Sequence, residues 1–303
     1  MQKKILTVLS EWGYWGEELV GPLDVFNESG IAYDFWTPTG RIPRALPPSM
    51  SATYVDPPLG RSVTTPEMAA KVKQIDDRAG EFFSGVVSLA ERFPLRPYMS
   101  EMFQEGNERA VVPGHLPVLR ELEDYYLRRS QAQAKVVEDY DAILLVGGSG
   151  PMVDMVNNRR LHDLILGFYF ADKPIAAECY GVACLAQARE FDDCRSIIWG
   201  KHVTGHAKEL DYTDQTGVLD PETHDILVNR NGTFVNLGPP FYTLEFILRD
   251  AVGPDGQFHG NFGRPTSVLV DYPFITGRST PDSYLTGEKL VQVLNSGLRR
   301  FGW

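Results

Sequence analysis

Three observations predict an α/β fold with a doubly wound, mainly parallel sheet and helices on both faces. Short apolar runs of strand length alternate with helical patterns at both ends of the chain. One run, Tyr140–Val146 (YDAILLV), is apolar nearly throughout, as a strand covered on both faces must be. Two runs end in tight turns, Gly147-Gly148-Ser149-Gly150-Pro151 and Cys179-Tyr180-Gly181, and in such sheets ligands gather at the carboxyl ends of the strands.

Taken in order, Lys4–Ser10 is a first strand and Glu17–Ser29 a helix whose Leu19, Val20, Leu23, Val25 and Phe26 face inward. Ile31–Trp36, after Gly30, completes a βαβ opening. From about residue 40 to 138 the character changes. This stretch contains RALPPS and DPPLGRSVTTPE, rich in Pro and Gly, and helix-like segments at Pro66–Leu89 and Leu116–Val137. It is expected to be an insertion, mainly helical and irregular, within one domain spanning 1–303. Its Phe82, Phe83, Phe93, Pro94, Pro97, Tyr98 and Phe103 suit either a cap over a pocket or packing on the parent domain. After Tyr140–Val146, a helix at about Asn158–Phe170 leads into the strand that ends at Cys179.

Composition narrows the function. A chain of 303 residues buries a large core, and its formal charge of −11 comes without a basic stripe, which argues against nucleic acid and anionic membrane as partners. No apolar run reaches the roughly 18 residues that span a bilayer, and the N-terminus turns polar too early for a signal peptide, so a cytoplasmic protein with a small-molecule substrate is expected. The three cysteines, Cys179, Cys184 and Cys194, have neither disulfide nor zinc spacing. Cys184 and Cys194 are expected to be packing residues.

Lys173–Gln187 (KPIAAECYGVACLAQ) carries the chemistry. It reads as a nucleophile elbow, with a buried strand, a tight turn at Cys179 and a small-residue helix behind it. A thiol at a helix N-terminus meets backbone N–H groups and the positive end of the macrodipole, so the Cys179 pKa is expected to fall below the roughly 8.5 of a free cysteine. The other reading of Cys179 is a small buried hydrophobe. The GGSG turn lacks the lysine and spacing of a phosphate loop, and fits oxyanion or carbonyl binding by backbone N–H groups, or simply a tight turn.

Five patches in the same order, Gly16–Pro22, Tyr140–Ile143 with Gly147–Gly150, Lys173–Gly181, Val203–Gly205 and Phe274–Ser283, resemble the ThiJ/PfpI superfamily, which has the class I glutamine amidotransferase-like fold. The long connection after the second strand looks most like the branch that holds heat-shock chaperones and glutathione-independent glyoxalases. The resemblance implies a flavodoxin-like sandwich, usually a homodimer, with a nucleophilic cysteine and no metal or organic cofactor. It places Cys179 on the nucleophile and Glu18, four residues before Pro22, on its acidic partner, with Glu17 as the neighbouring fallback. A carboxyl beside a thiolate works only if one of the two holds the proton, which suits an acid/base role. Without the resemblance, both glutamates are ordinary partners of a helix N-terminus.

Two departures stand out. Tyr180 follows Cys179 where hydrolytic and glyoxalase members carry histidine, and a phenol is no base near neutrality. Glu178 precedes Cys179 where small or apolar residues are usual, so it must be paired or protonated if buried, by hydrogen-bonding the insertion or by positioning a catalytic group. The replacement base is sought in Gly200–Glu209, where His206 and, less strongly, His202 are candidates and Glu209 is the nearest match to an acidic third member; His224 and His259 are weaker. Oxyanion or substrate contacts are expected from Gly148, Ser149, Tyr180 and Gly181. Three functions follow: a hydrolase or lyase acting through Cys179 and Glu18 on a small carbonyl-type electrophile, glyoxalase-like or directed at an amide, isonitrile or natural product; a redox sensor or chaperone with an oxidisable Cys179; and a noncatalytic binding module.

Overall fold

The computed structural model describes residues 2–56, 59–97, 111–190, 192–211, 218–226 and 243–303, with the backbone alone at 111–119 and 211. Twelve strands are present among them: β1 (Lys4–Val8), β2 (Ala32–Thr37), β3 (Val55–Asp56), β4 (Arg61–Ser62), β5 (Val87–Ser88), β6 (Ala142–Leu145), β7 (Ile175–Glu178), β8 (His202–Val203), β9 (Gln257–Phe258), β10 (Val268–Asp271), β11 (Phe274–Gly277) and β12 (Arg300–Phe301). The helices are α1 (Gly16–Glu28), α2 (Pro66–Asp77), α3 (Ala79–Phe82), α4 (Leu89–Arg92), α5 (Val111–Asp139), α6 (Pro151–Asp154), α7 (Arg159–Phe170), α8 (Ala183–Gln187), α9 (Lys208–Asp211), α10 (Leu244–Val252) and α11 (Ser283–Ser296).

Eight strands form the central sheet in the order β12-β10-β11-β7-β6-β1-β2-β5. The run from β11 to β5 is parallel, and β10 adds antiparallel neighbours at one edge. This is the predicted doubly wound, flavodoxin-like α/β architecture. Its order explains why β1, β6 and β7 are mainly apolar: each lies between two strands and under helices on both faces. Alternate residues divide between two cores. Leu6, Val8, Ile143, Leu145, Ile175 and Ala177 join α7, α8 and α10 on one side, while Ile5, Leu144, Ala176 and Ile275 join α1, α2 and α11 on the other.

The segment 40–138 is divided between the sheet and the pocket. β5 extends the main sheet beside β2, α5 packs along α7 as the crossover into β6, and Phe83 and Phe93 are core residues rather than a lid. Pro66–Leu89 is not one helix, because α2 stops at Arg78, α3 makes a single turn, and β5 follows. Leu116–Val137 lies inside the longer α5. Tyr98 and Phe103 lie outside the described residues. What reaches the carboxyl edge of the sheet is the β3–β4 hairpin.

Two packing features set up that edge. α1 and α11 lie close together because Gly21 sits where a Cβ would come within 2.8 Å of Ser283 Cβ. After β1 the chain turns on Asp154, which accepts from Ser10 Oγ (2.7 Å) and Glu11 N–H (2.8 Å). Burial raises the Asp154 pKa to about 7. No helix among the described residues is long and apolar enough to cross a membrane.

Candidate active site

β7 ends at Glu178, and Cys179 opens a 3₁₀ turn, Cys179–Val182, that runs into α8. Cys179 has φ +53, a left-handed conformation that an L-residue with a Cβ adopts at a cost of roughly 1–2 kcal/mol. This is the expected elbow: a strained turn that lifts the side chain off the end of the sheet.

The GGSG turn after β6 faces the cysteine, and α1 begins against it. Trp15 N–H donates to Gly147 C=O (3.2 Å), fixing the first turn of α1 and with it Glu18. Gly147 leaves the space these groups need, since a Cβ there would stand 2.3 Å from Glu18 Oε2 and 2.6 Å from Cys179 Cβ. The Glu18 carboxyl and the thiol thus border the same space, and the Gly148 N–H acts on both. The Tyr180 N–H is the second backbone donor on the sulfur. Gly148, Ser149 and Tyr180 line the cleft, whereas Gly181 is buried in the turn and does not line it.

His206 supplies the ring missing after Cys179. It arrives from the loop after β8, with Nδ1 3.6 Å from Cys179 Sγ. Its ring stacks on Tyr180 at 4.4 Å between centroids and 27° between planes. Tyr180 thus packs against the face of the imidazole.

Asp56, on β3, is the site residue that the sequence reading missed. It lines the same cleft. Burial raises its pKa, while the Leu59 N–H and the nearby His206 act in the opposite direction. An acidic group shares the cleft with the histidine, but it comes from the inserted hairpin rather than from Glu209. Glu209 is exposed on α9 and does not line the cleft.

Other candidates lie elsewhere. His202 Nδ1 is 2.8 Å from His259 Nε2, and its ring stacks on Trp303, which removes both histidines from the cleft. His224 sits near Arg44. Cys184 is buried packing, as expected, but Cys194 is exposed. Glu17 is half-buried beside Glu18, with its pKa raised to about 7 by burial. Glu178 is fully buried and meets Ser283 Oγ at 2.7 Å, so its partner is α11 and not the insertion.

The electrostatics reverse one expectation. Burial, and after it the Glu18 carboxyl, push the Cys179 thiol up, despite the N–H groups of Gly148 and Tyr180. Burial also raises Glu18 to about 8. At neutral pH the thiol and the acid are both protonated, so the helix-terminus effect alone does not make a thiolate. A base must take the proton when substrate arrives, and His206 is within reach.

The cleft is small, about 50 Å³, and it is walled by Trp15, Leu59, Val63 and Leu210 together with Ser279, Thr280 and Pro281. Among the described residues no group of three or more His, Cys, Asp or Glu could hold a metal ion.

Residues 9–202 match the family model described as ThiJ/PfpI family-like. Among solved structures, the rapid encystment protein of Francisella tularensis is similar at 18% identity and a TM-score of 0.61, with 97% of this chain and 99% of that one covered. Glyoxalase III of Candida albicans is similar at 14% identity and a TM-score of 0.60, with 95% and 96% covered. At these identities the likeness shows a shared fold. No curated protein matches the sequence.

Proposed function

The chain belongs to the ThiJ/PfpI-like family, and from that premise we propose that it is a cysteine-dependent hydrolase or lyase acting on a small carbonyl-type electrophile. One observation carries the reading: Cys179, at a left-handed φ on the elbow, stands 3.6 Å from His206 Nδ1. The Glu18 carboxyl borders the same cleft beside it. A merely buried cysteine has no need of a strained backbone, a base and an acid around one sulfur.

The steps follow from the positions. With its ring proton on Nε2, His206 accepts the thiol proton at Nδ1. The sulfur adds to the carbonyl carbon, a C–S bond forms, and the π pair moves to oxygen. That oxygen is stabilised by the N–H groups of Gly148 and Tyr180 and takes its proton from neutral Glu18. Asp56 stabilises the positive imidazolium that results. With an acyl substrate that oxygen returns its proton to Glu18 as the C=O re-forms, the bond to the leaving group breaks, the leaving group takes a proton from His206, and a thioester remains for water. An aldehyde instead forms a hemithioacetal; in a 2-oxoaldehyde the hemithioacetal C–H, next to the second carbonyl, gives its proton to the Glu18 carboxylate while the electron pair moves onto that carbonyl oxygen to form an enediol.

A cleft of about 50 Å³ favours a substrate of few heavy atoms over a bulky natural product. Small 2-oxoaldehydes fit this limit, and a glyoxalase is among the similar structures. The redox-sensor alternative is disfavoured by a thiol that is both 5% exposed and protonated, since oxidation follows thiolate character and access.

The test is turnover of small 2-oxoaldehydes, amides and isonitriles by the wild type and by Cys179→Ala. Turnover that disappears in Cys179→Ala supports the proposal. Turnover that survives it, or no turnover of any class, overturns it.

A further inference from the structure

Glu178 plays no part in the steps above, yet it is 0% exposed at the end of the strand that carries the nucleophile. Its surroundings decide its protonation. Ser283 Oγ lies 2.7 Å from Glu178 Oε1 and 2.8 Å from Thr280 C=O. A hydroxyl has one proton and a carbonyl can only accept. When Ser283 donates to Thr280, the contact with Glu178 is a hydrogen bond only if the carboxyl supplies the proton.

The charges facing Glu178 agree. α1 presents Glu18 and Glu17, and the turn before α11 presents Asp282, all of them acidic. The cation in this region, Arg278, is committed to Asp282 (3.9 Å) and to the carbonyls of Gly260, Asn261 and Arg264. Gly277 of β11 and Thr286 of α11 add no charge. Among the described residues Glu178 Oε2 has no hydrogen-bond partner. An ionised Glu178 would be an uncompensated buried charge near three other carboxyls, and burial with Glu18 nearby indeed pushes its proton affinity up.

We propose that Glu178 is a positioning residue for the Cys179 reaction: a neutral carboxylic acid that donates to Ser283 and fastens the cysteine-bearing strand to the turn walling the cleft. That turn contributes Ser279, Thr280 and Pro281 to the wall, and Ser283 follows it directly. The role rests on the cysteine-enzyme reading, but the protonation of Glu178 does not.

The test uses the full chain with Glu178→Gln, Glu178→Leu or Ser283→Ala. Infrared spectra between about pH 6 and about pH 9 read the proton, because a dry, protonated carboxylic acid has its own carbonyl stretch. That band is expected in the wild type and in Glu18→Gln, with a component lost in Glu178→Gln. Absence of this component overturns the neutral acid. Alkylation of Cys179 by iodoacetamide reads the positioning. Glutamine offers Ser283 an N–H and is expected to hold the rate within about twofold at every pH, while leucine and Ser283→Ala lower it about tenfold. Equal rates in Glu178→Gln and Glu178→Leu overturn the positioning role, and so does an unchanged rate in Ser283→Ala, which keeps the test open should the leucine variant not fold. If Cys179 of the wild type reacts only on unfolding, the cysteine reading fails with it, and the infrared result still decides the state of Glu178.

Discussion

The Cys179 thiol and the His206 ring meet at 3.6 Å although they come from different loops, one from the end of β7 and one from the exit of β8. The imidazole that does not follow Cys179 in the sequence is brought beside it through space. Tyr180, occupying that next position, is the surface against which the His206 ring stacks.

His206→Ala should therefore lower kcat/KM by about a hundredfold or more, in keeping with the loss of a general base. His206→Gln should do the same while preserving more of the contact with Tyr180. A loss below about threefold in both, measured on whichever substrate is turned over, would remove His206 from the chemistry.

Cys179→Ala should abolish turnover and leave the fold intact. The substitution removes one sulfur and keeps a Cβ at φ +53, so the backbone strain persists and the melting temperature is expected to move by only a few degrees, about 2–4 °C. Thermal unfolding followed by circular dichroism checks this directly. Cys179→Gly should be the more stable of the two, because glycine adopts a positive φ without the Cβ clash.

Stability should fall as pH rises from about 5 to about 8. Burial raises the folded-state pKa of Glu18 to about 8, of Glu17 and Asp154 to about 7 and of Asp282 to about 6. An acid whose folded pKa lies above its unfolded value keeps its proton in the folded chain after the unfolded chain has released it. Its contribution is complete below the unfolded pKa and is lost as pH passes through the folded one. Melting temperatures measured across this window should decline, and Glu18→Gln should flatten the part near pH 8. A melting temperature that rises across the window would contradict the burial of these protons.

The three cysteines should separate in an alkylation experiment. Cys194 is exposed and should react at the ordinary rate of a surface thiol, whereas Cys184, buried and raised by that burial, should stay inert until the chain unfolds. Cys179 should react more slowly than Cys194 at alkaline pH, where ionised Glu18 opposes a thiolate, and Glu18→Gln should narrow that gap. Peptide mapping by mass spectrometry resolves the three sites.

Asp56→Asn should reduce kcat/KM by about tenfold to a hundredfold with little effect on the melting temperature, because the half-buried carboxylate shares the cleft with His206 and is not part of the core. An unchanged kcat/KM would limit the β3–β4 hairpin to a steric role.

The parts of this site that could be read along the chain are those written in local pattern. YDAILLV followed by glycines, and IAAECYG followed by small apolar residues, state a buried strand and its turn within a few positions. His206 could be nominated because a histidine stood near the right strand end. The rest depends on tertiary placement. Asp56 sits in a Pro- and Gly-rich stretch with no periodicity to reveal that the hairpin folds back over β7. His202 and His206 are four residues apart, and only the pairing of β8 with β9 shows that the first turns toward His259. Glu209 faces solvent on α9. Cys194 looked like packing by residue type, and its loop is exposed. The direction of the Cys179 pKa was missed because a helix terminus is visible in sequence, whereas complete burial beside an acid is not.

The wall of the cleft formed by Ser279, Thr280 and Pro281 has a consequence for biosynthesis. A nascent chain emerging from the ribosome exposes Cys179 long before these residues, and before β11, which pairs with β7, exist to close around it. During that interval the thiol lacks its enclosure and the dry surroundings that keep Glu18 protonated. Completion of the cleft thus waits on residues made about a hundred positions after Cys179, so a chain that stops short of them lacks this wall.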